Sequence, residues 1–188
     1  MPTPNSWDVP PLPDHGDDDI DTTFAGVGRV LTQWESIELE LSVVYAVFTG
    51  RPADSEAGRE YGRGRIFTDR AKMVAEIAEK SLRNQALEDE FDQIMCAIRH
   101  FADRRNEVAH GIMRPIHWIM PRRIKQTDYK FKFCLVPAYY NYKKYGPDNL
   151  PEYMYISETL LDLEKKLFYL AAETSSFRDR IVFRLSRS

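Results

Sequence analysis

The sequence predicts a mainly α protein, a bundle of four long helices with a small antiparallel β-hairpin insertion. Two observations carry this. Apolar residues recur every three or four positions over four long stretches, the pattern of helices with one buried face. Between the third and fourth stretches, from about 112 to 156, that period gives way to aromatic and branched residues in partial alternation, which is strand patterning. At 188 residues, 43% hydrophobic and 29% charged, the chain fits one domain with a substantial core. The expected division is an acidic, proline-rich disordered tail over 1–21 and a helical domain over 22–188.

The tail holds five of the eleven prolines and little to bury, so it cannot offset the entropy of ordering. It is either a solubilising arm or a partner-binding, autoinhibitory one. The first helix should begin near Thr22 or Thr23, either of which can cap it, and stop at Gly50 before Pro52. Its apolar face is Val27, Val30, Leu31, Trp34, Ile37, Leu41, Val44, Tyr45 and Phe48. From Leu39 onward Val43, Ala46 and Val47 fill the other side, as in a half-helix buried all round in a bundle or subunit interface. Glu38 falls within this stripe. It either finds a buried partner, Arg105 first among the choices, or lies at the stripe's edge in water.

Residues 50–66 read as an exposed loop, whose Arg59, Arg63, Arg65 and Tyr61 could touch phosphates and stack a base, or simply be solvated. The second helix runs from about Thr68 to Leu82, with Phe67, Ala71, Val74, Ile77, Ala78 and Leu82 inward. The third, about 85–110, buries Leu87, Phe91, Ile94, Met95, Ile98, Phe101 and Ala102. Continuing its spacing puts Arg105, Val108 and Ala109 inward and Arg104 outward, with Gly111 as a left-handed C-cap and Cys96 buried beside a solvated His100. Ile112 to Met120 and Tyr129 to Pro137 form the expected hairpin. A wet loop with Tyr139, Tyr140, Tyr142, Lys143, Lys144 and Tyr145 follows, then a possible third strand over Tyr153 to Ile156. Ser157 is a good N-cap for the fourth helix, about 158–185, which buries Leu160, Leu163, Leu167, Leu170, Ala171, Phe177 and Ile181.

The formal net charge of −3 conceals an asymmetry: six aspartates and no Lys or Arg lie in residues 1–22, leaving 26 basic against 23 acidic residues elsewhere. A nucleic-acid partner is therefore not argued against. Two cysteines make neither a disulfide framework nor a zinc ribbon, no signal peptide is evident, and the most apolar segment is too short to span a bilayer. A cytoplasmic protein without membrane contact is expected.

The main chemical signal is Arg105, Asn106 and His110 at the end of the third helix. Arginine offers a planar fork for two phosphate oxygens, and histidine titrates near neutral pH. Together they suit a phosphodiester, whose cleavage needs a base, an acid and positive charge on the pentacovalent phosphate. Five residues turn about 140° on an ideal helix, so Arg105 and His110 converge only if the arginine bends round or the ligand crosses the helix end. The alternative is that Arg105 pairs structurally with Glu38 while His110 caps the last carbonyls. Arg104, Arg114, Arg122, Arg123 and Lys125 flank the motif as a candidate RNA-binding rim, with the tyrosine loop adding rings, or as an ordinary solvated surface. Cys96 and His100 stand four apart, but no second pair completes a metal site, and no nucleotide-binding fingerprint appears. Neither a metal nor a cofactor is expected.

With these residues the chain resembles the HEPN superfamily, small helical domains many of which are metal-independent ribonucleases. Their motif is an arginine, usually followed by a polar residue, with a histidine four to six positions later near a helix end. The resemblance covers roughly 22–111 and 157–185, making the hairpin an insertion. It implies a HEPN-like bundle, a homodimer with an RNA groove lined by two motifs, and catalysis by Arg105, Asn106 and His110; the first helix and the motif end are the expected interface, and Glu38 the expected support. It further implies a toxin or phage-defence effector, with an antitoxin or regulatory protein as partner. The alternatives are a non-catalytic HEPN-like module that binds RNA, nucleotide or a protein, and a purely structural dimer. In the toxin branch modified by a nucleotidyltransferase antitoxin, a tyrosine often stands two residues after the histidine. Ile112 holds that place here, so that regulation is not expected.

Overall fold

The computed structural model describes residues 5–52, 56–82, 85–120 and 131–185. It is mainly helical, with four long helices and a two-stranded antiparallel sheet. In chain order the elements are α1 (Ile20–Thr49), α2 (Glu56–Tyr61), α3 (Phe67–Ser81), α4 (Gln85–His110), β1 (Gly111–Pro115), α5 (Ile116–Ile119), β2 (Phe133–Pro137) and α6 (Ser157–Leu185). The chain divides into two compact units, one of Met1–Gln33 with Asp103–Lys166, the other of Trp34–Ala102 with Leu167–Ser188. Three of the long helices contribute residues to both.

The first unit is built around the hairpin. β1 and β2 pair in register from Gly111 opposite Pro137 to Pro115 opposite Phe133. Ile116, Ile119, Met120, Cys134, Val136, Met154 and Ile156 form its buried core, with Leu12, Ile112 and Leu150 packed against it. The first strand is shorter than expected, because Ile116 turns the chain into α5. The anticipated third strand is reduced to one bridge, in which Leu135 and Tyr155 exchange backbone hydrogen bonds at 2.8 and 2.9 Å.

The acidic segment is not a tail that runs free to residue 21. Asp17 exchanges two backbone hydrogen bonds with Phe133, each 2.8 Å, and Gly16 is buried where a Cβ would meet the Phe133 carbonyl oxygen at 2.8 Å. The Asp17 carboxylate accepts from the Ser157 amide at 2.8 Å, from the Ser157 hydroxyl at 2.6 Å and from the Thr23 hydroxyl. The cap of α6 is therefore supplied by Asp17 from across the unit, and the Ser157 hydroxyl donates instead of capping. A carboxylate there satisfies an orphan amide and complements the helix dipole. α1 also starts two residues earlier than Thr22. Its Gly26 packs so closely on α6 that a Cβ would lie 2.9 Å from Leu160 Cδ1.

The second unit is a helical core. α1 contributes Trp34, Ile37, Leu41, Val44, Tyr45 and Phe48, α3 Ala71, Val74 and Ala78, and α6 Leu167, Leu170, Phe177 and Ile181. α4 supplies Leu87, Phe91, Ile94, Met95 and Ile98. Phe91 stands at the centre, its ring 6.0 Å from Phe48 and 5.8 Å from Phe177. Gly50 ends α1 at φ 67°, the left-handed stop expected of it. Residues 56–61 form a helix within the expected loop and bury Ala57 and Tyr61. The all-round burial expected after Leu39 is partial: Val43 and Val47 are half-buried and Leu39 is exposed.

Candidate functional site

The last turns of α4 present Arg105, Asn106 and His110 in the first unit. Arg105 is half-buried, and its Nη1 donates to Asn106 Oδ1 at 2.8 Å. Asn106 and His110 are exposed, His110 as the final helical residue. The guanidinium is thus oriented by the neighbouring amide, and an exposed imidazole sits about one turn on.

Both adjacent arginines are half-buried: Arg105 as its spacing predicts, and Arg104, expected outward, 2.9 Å from the buried Glu107 with its side chain 14% exposed. Ala109, expected inward, is exposed. The buried face widens in these last turns: Val108 is buried as expected, and Glu107 beside it is buried as well. The Arg104–Glu107 spacing is visible in the sequence, but Glu107 lies off the stripe of the preceding turns. Gly111 does not adopt a left-handed conformation; it is the first residue of β1, and a Cβ on it would meet Leu135 Cγ at 2.6 Å.

Glu107 also accepts the Tyr155 hydroxyl at 2.7 Å. Burial raises its carboxyl above the usual range, Tyr155 and Arg104 pull the other way without prevailing, and Glu152 adds to the rise. Glu38, in the second unit, is held by Arg70 and not by the expected Arg105. Arg70 donates from Nε at 2.9 Å and Nη2 at 2.6 Å, and the Tyr61 hydroxyl adds a bond of 2.8 Å. Burial pushes the Glu38 carboxyl up, but the hydrogen bonds from Arg70 and Tyr61, the Arg70 charge and the Trp34 indole together hold it below the ordinary value. Tyr61 is thereby buried as a donor and does not stack a base beside Arg59, Arg63 and Arg65.

Of the expected basic rim, Arg114 is half-buried on β1, its Cζ 5.0 Å from the centre of the Tyr139 ring. Arg122, Arg123 and Lys125 lie outside the described residues. Cys96 is exposed on α4, and Cys134, not Cys96, is the buried cysteine, its thiol pushed up to about 12 by burial and the nearby Asp17 charge. Among the described residues no group of three His, Cys, Asp or Glu is placed to hold a metal ion, and no helix is long and apolar enough to cross a membrane. No family model matches the chain, and neither a curated protein nor a solved structure does.

Proposed function

We propose that the chain is a metal-independent endoribonuclease of HEPN type, acting in the cytoplasm as a homodimer whose two motifs share one RNA groove. The observation that carries this reading is the end of α4, where Asn106 holds the Arg105 guanidinium at 2.8 Å and His110 stands exposed at the helix terminus. In this reading Arg105 binds the scissile phosphate. One His110 takes the 2′-hydroxyl proton as the 2′-oxygen bonds to phosphorus. The partner's His110 then protonates the 5′-oxygen as its bond to phosphorus breaks. A toxin or phage-defence role, with an antitoxin or regulatory protein as partner, belongs to the same proposal.

The engagement of Arg105 with Asn106 favours a second reading, a non-catalytic module of the same type that binds RNA, nucleotide or a protein. Incubation of the purified chain with labelled RNA in EDTA separates the two. Cleavage leaving 2′,3′-cyclic phosphate ends, lowered about 100-fold or more by His110→Ala, is the expected result. Absence of cleavage, or cleavage undiminished by that substitution, would remove the enzyme reading.

A further inference from the structure

The loop after β2 carries Tyr139, Tyr140, Tyr142 and Tyr145 within seven residues and is closely built. The Asn141 amide donates to the Ala138 carbonyl at 2.8 Å, the Lys144 amide to Asn141 at 2.9 Å, and the Glu152 amide to Lys144 at 2.7 Å. The Tyr145 hydroxyl donates to the Pro137 carbonyl at 2.5 Å, and Tyr145 bridges to Pro151. On this ordered frame three rings face outward, Tyr139 at 58%, Tyr140 at 86% and Tyr142 at 73% exposure. Large rings held in water by a hydrogen-bonded loop offer contact area with little left to order on binding.

Their surroundings favour one kind of ligand. Tyr139 stacks on Tyr145 with ring centres 6.2 Å apart and planes 18° off parallel, beside the Arg114 guanidinium. Lys144 is paired with Glu152 at 2.8 Å and Arg104 with Glu107 at 2.9 Å, while Arg114 and Lys143 form no ion pair among the described residues. The Arg114 Nε is buried without a hydrogen-bond partner among them. Exposed Asp148 is the loop's opposing charge. Rings for bases and unpaired cations for phosphates are what a single strand needs. The register also sets this loop beside the motif: Gly111 pairs with Pro137, so one step further His110 and Ala138 share the same end of the sheet.

We propose that Tyr140 and Tyr142, with Arg114 and Lys143, form a base-stacking subsite that holds a single-stranded nucleic acid leading to His110. That the strand is RNA rests on the function proposed above. The test uses the full chain and a short fluorescent single-stranded DNA, which lacks the 2′-hydroxyl and is not consumed by the proposed chemistry. In anisotropy titrations Tyr140→Ala and Tyr142→Ala should each weaken binding about tenfold, and Tyr140→Trp should retain it. Lys143→Gln should lower the slope of affinity against salt by about one. Circular dichroism should show the variants folded, since the replaced rings are exposed. No binding, equal binding of duplex DNA, or indifference to both alanine substitutions would overturn the subsite. If RNA is cleaved while oligonucleotide binding ignores the tyrosines, the subsite fails and the enzyme stands. If the tyrosines govern binding and no RNA is cleaved, the reverse holds.

Discussion

Two buried glutamates, each with an arginine and a tyrosine, are pushed in opposite directions. Glu38 receives a fork from Arg70 on both oxygens, and its carboxyl lies below the ordinary range. Glu107 faces a single Arg104 nitrogen with Glu152 nearby, and its carboxyl lies above that range. The signs of their contributions to stability therefore differ. Glu38 stabilises the fold above the ordinary glutamate range, and that contribution is lost as pH falls through its lowered value. The contribution of Glu107 is complete below the ordinary range and is lost as pH rises through its raised value. Thermal unfolding of two isosteric variants checks this. Glu38→Gln should cost about 3 kcal/mol at neutral pH, since it leaves Arg70 without its charge partner. Glu107→Gln should match or exceed wild-type stability at neutral pH, and the difference should close near about pH 4. A Glu107→Gln variant markedly less stable at pH 7 would contradict the raised carboxyl.

At the scale of elements, helix limits were readable where local chemistry sets them. The start and end of α4 match the expected 85–110, and α1 ends at Gly50 as expected. What the periodicity missed is the widening of the buried face in the last turns of α4, where Arg104 and Glu107 also turn inward. A helix stripe can be extrapolated only while the same neighbours cover it, and here Tyr155 binds Glu107. Gly111 shows the same effect, because its need for glycine comes from Leu135 and not from a turn. Gly111→Ala should therefore destabilise the chain by about 1–3 kcal/mol, read by denaturant midpoint, as an overpacked contact does. A local rule assigns the cap of α6 to Ser157, whereas Asp17 supplies it from 140 residues away. Asp17→Ala should cost about 1–2 kcal/mol by the same measurement, and Asp17→Asn should recover part of it.

For the molecule as a whole, the two cysteines report on opening. Cys96 is exposed and should react with a thiol reagent at once, while buried Cys134 should react only as the chain opens. A Cys134 rate that does not fall as stabilising conditions are applied would contradict its burial. The shared groove of the proposed ribonuclease requires a dimer, so sedimentation at micromolar concentration should show twice the 21.9 kDa of one chain. Leu39 is exposed on α1, and Leu39→Glu should shift the protein toward monomer in the same measurement.

By itself the sequence determined the helical class, the extent of the long helices, most core residues, the existence of the hairpin and the grouping of Arg105, Asn106 and His110. These follow from spacing along one segment, which the chain carries wherever it folds. Only the tertiary structure decided that Glu38 binds Arg70, that Glu107 binds Tyr155, and that Asp17 caps α6. Each of these is a choice among several chemically equivalent partners far apart in sequence. Propensity and periodicity do not distinguish such partners; packing does, by leaving one of them within hydrogen-bond reach of a buried group that must be satisfied.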